Sequence, residues 1–297
     1  MANNRAFTKG LAFGLIGTLS LFSCTEENDD ITDLDARNAE IIDNLLAAGF
    51  DPEDIEIREA EQVGPDSVLG DPDLQVFIDG DTHITLEASR ELAGVGDESG
   101  FRMWRTSTLV NNNTTVCLVK VTSAQAPYTS YALTTNMRTA VDMARDNYNA
   151  LSSFNLNMVS GNGSLSSTGV LSHGIAGCTY SIFVYQVQNS NAGGQAGFPS
   201  GGAPYNQVQL WSGLSTLSLN AHQHVVTHEV GHAIGLRHSD WKTRASCGQN
   251  SNEGQSGAVQ ISGTSDQTTN SIMAACFSAS TNGEFRGEDA TALNAIY

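Results

Sequence analysis

The sequence has few basic residues for a chain of 297. Lysine and arginine together number 14, against 32 aspartate and glutamate residues, and the formal net charge is −18. A protein that binds nucleic acid needs basic side chains to neutralise the phosphates. No basic cluster of this kind occurs in the sequence, so we do not expect nucleic acid as a partner.

A long apolar run is also lacking at the N-terminus. Residues 11–22 are apolar, but a helix that spans a membrane needs about 20 such residues. The run follows two basic residues and ends at Ser23 and Cys24, as in a signal peptide. Its end resembles a bacterial lipobox, whose cysteine is lipidated. We predict a lipoprotein signal peptide at residues 1–23, export, and a lipid anchor on Cys24 at the outer membrane or cell surface, with a released form as an alternative. Ordinary cleavage near Ser23 would make Cys24 incidental.

Negative charge is concentrated in one part of the chain. Residues 25–105 contain 23 acidic and five basic residues, whereas residues 106–297 contain nine and seven. Such an asymmetry indicates a domain boundary. We predict a polar tether at residues 24–30 and a pro-region or N-terminal accessory domain at residues 31–102, called the acidic unit below. A larger domain follows at residues 103–297.

Apolar periodicity and turn residues predict an α+β fold. The order is a strand, a helix, several strands, a helix and a loop-rich tail. A hairpin turning at Asp79-Gly80 is predicted within the acidic unit, over residues 76–86. Helices are predicted at residues 31–50, 131–151, 220–235 and 290–297, and strands at residues 115–121, 154–159, 179–187 and 207–211.

One motif carries chemistry. Residues 228–238 read HEVGHAIGLRH and match H-E-x-x-H-x-x-G-x-x-H at every specified position. Residues four apart share a helix face, so His228 and His232 can bind one metal. The chain must then turn, and Gly235 can adopt the positive φ that returns His238 to the same metal. Three histidines leave one position open for water, which is typical of a catalytic zinc site.

Glu229 follows the first of these histidines. Its position predicts a general base that takes a proton from water as the water attacks a carbonyl carbon. We therefore predict a monomeric zinc endopeptidase with one catalytic Zn²⁺ and protein or peptide substrates. The alternatives are incidental surface histidines, a zinc scaffold without activity, and a non-enzymatic surface lipoprotein that binds protein or glycan. A binding module would not need Glu229. His222 and His224 are expected on the helix surface or beside the ligands.

The motif resembles that of the metzincin clan of zinc metallopeptidases, which has a methionine turn beneath the metal. Residues 271–275 read SIMAA and look like that turn, with Met273 as the methionine. Astacins and serralysins have tyrosine two residues later, where this sequence has Ala275, so we expect no tyrosine ligand.

Within that clan the sequence resembles the dual-action HEIGH metallopeptidases of bacteria. The shared features are the zinc motif, with Val230 in place of the isoleucine of the family name, the sequences HSDW at residues 238–241 and RASCG at residues 244–248, and the methionine turn with Cys276. The resemblance covers about residues 103–297.

The resemblance implies a metzincin-like zincin fold. Such a fold has a twisted mixed sheet, an active-site helix and a loop-rich C-terminal subdomain, and the peptide substrate lies along an edge strand. Residues 195–199, QAGFP, resemble the strand that binds substrate in metzincins. The alternative is a surface loop of glycine and proline.

The cysteines predict two disulfides. Lipidation of Cys24 would leave Cys117, Cys178, Cys247 and Cys276, an even number in an exported chain. Three pairings are possible, and the sequence alone does not choose between them. We favour Cys247 with Cys276, because both flank the predicted active site, and therefore Cys117 with Cys178. The alternative is free buried thiols.

The acidic unit could restrain the site. Metzincins are often made as zymogens, and residues 77–81, FIDGD, distantly resemble the Phe-x-Gly-Asp motif of astacin pro-segments, whose aspartate ligates zinc. The phenylalanine lies one residue too far away here. We hypothesise that Asp81 caps the zinc in a latent form; the alternative is a simple Asp79-Gly80 turn.

Overall fold

The computed structural model describes residues 27–60, 73–94, 103–250, 253, 258–265 and 268–297. The predicted signal peptide and Cys24 lie outside these residues. Within them, every helix is too short or too polar to cross a membrane.

Five helices and eleven strands are assigned in the described residues. The helices are α1 (Glu27–Ala47), α2 (Leu86–Ala93), α3 (Thr135–Asn149), α4 (Leu219–Ala233) and α5 (Gly287–Ile296). The strands are β1 (Glu56–Ala60), β2 (Asp73–Ile78), β3 (Thr82–His83), β4 (Trp104–Arg105), β5 (Thr114–Ala124), β6 (Leu156–Leu165), β7 (Leu171–His173), β8 (Tyr180–Val187), β9 (Gly194–Gly197), β10 (Gln207–Trp211) and β11 (Val259–Gln260).

Nine of these strands form one mixed sheet in the order β1-β2-β3-β9-β10-β8-β5-β6-β7. β5 runs parallel to β6 and β8, and β10 runs parallel to β8, whereas β7 and β9 are antiparallel to their neighbours β6 and β10. Helix α3 makes the crossover from β5 to β6 that a parallel pair requires. β4 and β11 form a separate small ladder beside the loop-rich C-terminal part. The predicted α+β fold with a mixed sheet is confirmed.

Helix α3 packs one apolar face on the sheet, as its sequence predicts. The predicted start at residue 131 is wrong, because Thr129–Tyr131 forms a separate 3₁₀ turn and Thr134 caps the helix by accepting a hydrogen bond from the Met137 backbone N–H. The buried residues of the helix are Met137, Ala140, Val141, Ala144, Asn147 and Tyr148.

Helix α4 lies inside the molecule. Ser218 caps its start by accepting from the Ala221 N–H, and every residue from position 221 to 233 is buried. The main core lies around α4 and includes apolar residues of α3, α5 and the central strands β5, β8 and β10. A helix buried on all sides is held rigidly, which suits an element that carries metal ligands.

The acidic unit has a small core of its own. Phe198 of the larger domain is part of that core, which therefore lies across the predicted domain boundary. Its main members are Ile41, Leu45, Phe50, Val76, Ile78, Ile84, Leu92 and Phe198. Because β3 also pairs in parallel with β9, the unit continues the sheet of the larger domain.

Two boundaries predicted in the acidic unit are wrong. Strand β3 comprises only Thr82–His83, because Thr85 then caps α2 through the Ala88 N–H and the chain becomes helical. Helix α1 begins at Glu27, four residues before the predicted start at residue 31.

Candidate metal centre

Three histidine rings converge at the C-terminal end of α4. His228 and His232 lie one turn apart with their Nε2 atoms 3.0 Å from each other. Helix α4 ends at Ala233, and Gly235 has φ +113°, so the chain reverses as predicted. The turn brings the Nε2 atom of His238 to 3.3 Å from both of the other Nε2 atoms.

This spacing fits a tetrahedral metal ion. Bonds of about 2.1 Å from a metal to nitrogen place the ligand atoms about 3.4 Å apart at tetrahedral angles. Burial lowers the pKa of His232, which keeps that ring in the neutral form that binds metal. Three lone pairs directed at one point repel each other unless a cation lies between them. The three histidines therefore fit a metal ion.

The other ring nitrogen of each histidine has an acceptor that fixes its tautomer. The Nδ1–H of His228 donates to the Ile272 carbonyl and that of His232 to the Leu236 carbonyl, both at 2.8 Å. The Nδ1–H of His238 donates instead to Glu253, at 2.9 and 3.1 Å to the two carboxylate oxygens. Sequence reasoning missed Glu253, because its loop has no spacing that links it to the motif.

Glu229 lies beside the three histidine rings. In the described part of the chain, no hydrogen bond joins its carboxylate to any of these rings. Its side chain is buried against β9, where a Cβ atom on Gly194 would come within 2.9 Å of Glu229 Cγ and Oε1. The Oε2 atom has no hydrogen-bond partner among the described residues. Burial raises the pKa of Glu229 well above its usual value, and the negative charge of Asp81 raises it further.

Met273, the predicted methionine of a methionine turn, packs against α4 at Gly231, one residue before His232. A Cβ atom on Gly231 would lie only 2.5 Å from Met273 Sδ, so the helix and the turn are in close contact. The Met273 carbonyl accepts from the Ser239 N–H at 2.7 Å. This bond joins the turn to the residue after His238.

Two aspartates that sequence reasoning missed hold the methionine turn from either side. Asp289, in the first turn of α5, accepts from the Ile272 N–H at 3.0 Å. Asp240 accepts from the Ala275 N–H at 2.9 Å. Both carboxylates are buried. Asp240 belongs to the HSDW sequence at residues 238–241, but the resemblance assigned it no role, and Asp289 shows no recognisable spacing in the sequence.

The two disulfides pair as we favoured from the sequence. Cys247 is bonded to Cys276 and joins the loop after the third histidine to the segment after the methionine turn. Cys117 is bonded to Cys178 and joins β5 to the residues before β8. The alternative of free thiols is wrong.

The turn of the acidic unit brings Asp81 to the three histidines. Its Oδ2 lies 3.2 Å from His238 Nε2 and 3.5 Å from His228 Nε2, and its Oδ1 lies 3.8 Å from His232 Nε2. These separations suit a fourth tetrahedral ligand, and the four side chains together form a group able to hold a metal. Burial alone would raise the pKa of Asp81, but the histidine rings, His238 foremost, lower it well below its usual value.

Asp79 and Gly80 do form the predicted turn, with φ values of +61° and +85°. The turn is also anchored to the larger domain. Asp79 pairs with Arg237 at 3.3 Å in a fully buried ion pair, and Arg58 donates to the Gly80 carbonyl and to Gln195 Oε1, each at 3.1 Å. The turn at Asp79-Gly80 is therefore part of the same structure that places Asp81 beside the histidines.

Strand β9 contains the first part of the predicted substrate-binding segment. One of its edges pairs with β10, and the other pairs with β3, with Thr82 opposite Ala196 and His83 opposite Gly197. The Ala196 N–H also donates to the Asp81 carbonyl at 3.1 Å. The acidic unit thus covers the edge where an extended peptide was expected to lie.

A cavity of about 530 Å³ opens beside Glu229. Its walls include the apolar side chains of Leu217, Val225 and Phe277, and its volume can take a large side chain of a peptide. His224 stacks on Phe277 with ring centroids 5.1 Å apart.

The two extra histidines of α4 are not part of the group that converges on the metal position. His222 and His224 are both buried, so a place on the helix surface is wrong. The Nδ1–H of His222 donates to the Ser218 carbonyl at 2.8 Å, and His224 Nδ1 lies 3.0 Å from Thr281 Oγ1.

The chain is similar to known proteins. The model of the dual-action HEIGH metallopeptidase family matches residues 76–297, a range that begins in β2 and so includes Asp79 and Asp81. A structure of myroilysin aligns at 16% identity over 64% of this chain and 96% of its own, with a TM-score of 0.38. A crystal structure of myroilysin aligns at 15% identity over 64% of this chain and 87% of its own, with a TM-score of 0.35. No curated protein matches the chain.

Proposed function

This chain belongs to the dual-action HEIGH metallopeptidase family, and from that premise we propose that it is an exported zinc endopeptidase with Glu229 as general base. As a metallopeptidase it acts on proteins or peptides. The observation that carries the proposal is the convergence of three histidine Nε2 atoms, 3.0 to 3.3 Å apart, beside a buried glutamate.

His228, His232 and His238 would hold the ion. Neutral imidazole ligands suit zinc, whereas calcium and magnesium take oxygen ligands. When bound, zinc supplies a Lewis acid that activates water and polarises the carbonyl of the substrate.

Glu229 moves the proton in this mechanism. Its free Oε2 atom accepts a proton from the attacking water as the water oxygen bonds to the carbonyl carbon. The same carboxylic acid then donates that proton to the amide nitrogen as the C–N bond breaks.

The test is cleavage of a denatured protein substrate, with and without a zinc chelator. Because capping by Asp81 would suppress the intact chain, Asp81→Asn serves as a second parent protein. We expect Glu229→Gln and the chelator each to abolish cleavage, and added zinc to restore the chelated enzyme. Glu87→Gln, an exposed glutamate on α2, is the matched control and should cleave normally.

Cleavage that survives both Glu229→Gln and the chelator would contradict the mechanism. The competing function is a surface lipoprotein that binds protein or glycan without cleaving it. That function predicts no cleavage by either parent protein, together with binding that Glu229→Gln leaves unchanged.

We also propose that the intact chain is latent. The carboxylate of Asp81 occupies the place of a fourth ligand, and β3 lies on the edge of β9 that an extended substrate needs. The docked acidic unit therefore hinders a substrate in two places, at the metal position and at the edge of β9.

Export and anchoring rest on the sequence of the first 24 residues. We propose that Cys24 carries lipid and that the enzyme is a monomer tethered to a bacterial membrane surface. Labelling with a radioactive fatty acid tests the anchor: we expect label in the wild type and none in Cys24→Ser. Label in both proteins would contradict it. Light scattering tests the monomer.

A further inference from the structure

The third histidine is held differently from the first two. His228 and His232 lie on the rigid helix α4, and each Nδ1–H has a backbone carbonyl as its acceptor. His238 lies in the loop beyond the helix, and its Nδ1–H has a carboxylate as its acceptor. The orientation of this ring therefore depends on a side chain far along the loop.

The backbone around His238 is fixed independently of its ring. The Arg237 N–H donates to the Trp104 carbonyl at 3.0 Å, and the Ser239 N–H donates to the Met273 carbonyl at 2.7 Å. These bonds set where the Cα atom lies but leave the side-chain torsions free. Glu253 supplies the contact that sets the direction of Nε2.

Glu253 is built into its place from several sides. Its side chain is almost fully buried, and its backbone N–H donates to the Trp241 carbonyl at 2.7 Å. Arg237 donates to its carbonyl oxygen at 3.3 Å, and Arg244 Nη1 lies 2.5 Å from Oε1. A buried carboxylate is costly unless it is paired, and here the guanidinium of Arg244 and the ring of His238 pair with it.

We propose that Glu253 is the positioning residue for the third zinc ligand, held in turn by Arg244. Its carboxylate receives the Nδ1–H of His238, which fixes the tautomer, turns Nε2 to the metal and strengthens that nitrogen as a donor. Acceptors of this kind contribute roughly 10- to 100-fold to metal affinity in other sites. The inference rests on the proposed function, since it requires that the three histidines bind zinc.

The test measures the zinc dissociation constant of the full-length protein by competition with a chromophoric chelator. We expect Glu253→Gln to weaken zinc binding by roughly 10-fold, because an amide oxygen keeps the hydrogen bond but lacks the charge, and Glu253→Ala to weaken it by up to roughly 100-fold. The absorption spectrum of the cobalt-substituted protein should also change, and it should change more for Glu253→Ala than for Glu253→Gln.

Asp142→Asn is the matched control. Asp142 is a partly buried carboxylate on α3 that accepts from Lys120 and Ser160, and it does not bond to a ligand ring or to the methionine turn. We expect it to bind zinc like the wild type. Urea unfolding of each metal-free variant shows whether it is folded, and if Glu253→Ala is not, Glu253→Gln decides.

The outcomes separate the two proposals. A wild-type protein without zinc affinity would contradict the proposed function. A wild type that binds zinc, together with Glu253 variants that bind it no more weakly than Asp142→Asn, would contradict only the positioning role.

Discussion

Gly231 and Met273 pack closely against each other beside the candidate metal site. Gly231 lies on α4 one residue before His232, and a Cβ atom there would lie 2.5 Å from Met273 Sδ. Glycine is otherwise a poor residue for a helix interior, by about 1 kcal/mol relative to alanine. Its presence here is explained by the lack of space for a methyl group.

We therefore expect Gly231→Ala to impair activity without unfolding the helix. Displacement of either the turn or the helix by a few tenths of an ångström would misplace His232, and peptidase activity should fall by about 10- to 100-fold. Activity and circular dichroism are measured together. Gly287→Ala, where a Cβ atom meets no neighbour within 4 Å, is the control. Full activity in Gly231→Ala would show that Met273 can move aside freely.

Single residues were predictable from the sequence only where a regular spacing linked them. The helical repeat and the glycine stop place His228, His232 and His238 together. Glu253 could not be predicted, because it lies 15 residues from His238 in the chain and no regular spacing links the two. Asp289 was missed because it contacts the methionine turn only after α5 has packed against the core.

At the scale of elements, the pairing of β3 with β9 decides how the two parts of the chain are joined. The hairpin turn was predictable from Asp79-Gly80, since such pairs favour turns. The partner of β3 was not, because β9 lies more than a hundred residues further along the chain and a strand of two residues carries no pattern. The helical start at Leu86 was also not predicted, because the apolar run there suits a strand equally well.

Asp81→Asn tests whether this hairpin keeps the enzyme latent. An amide is a weaker metal ligand than a carboxylate, so we expect the intact variant to cleave a small fluorogenic peptide several-fold faster than the wild type. Asp43→Asn makes the same change at an exposed position of α1 and should have no effect. Equal rates for the wild type and Asp81→Asn would mean that the aspartate does not cap the metal.

At the scale of the whole molecule, burial of His83 links the docked arrangement to pH. His83 lies between Phe77 and Tyr205, with its Nδ1 atom 2.8 Å from the tyrosine hydroxyl. Burial lowers the pKa of His83 to about 3, with a contribution from Arg37 and Arg58. In the unfolded chain the pKa is about 6.5, so below that pH the unfolded state binds the extra proton.

Stability contributed by a neutral His83 is therefore complete above pH 6.5 and is lost as the pH falls towards 3. We expect the difference in free energy of unfolding between the wild type and His83→Gln to shrink by about 2 kcal/mol from pH 7 to pH 5. Urea unfolding at both pH values measures it. The comparison is needed because Asp79, whose pKa burial raises to about 7, has the opposite effect over this range. A difference that does not change with pH would contradict the buried neutral state of His83.

Phe198 has a consequence for how such a molecule could be activated. This side chain belongs to the larger domain, yet it completes the core of the acidic unit. The acidic unit therefore has a complete core only while it is bound to the larger domain. A cut between residues 94 and 103 would leave two chains held together by the Phe198 contact, the β3–β9 pairing and the Asp79–Arg237 ion pair. Proteolysis would then produce a nicked complex, and the rate at which the fragment dissociates, rather than the rate of the cut, would set the onset of activity.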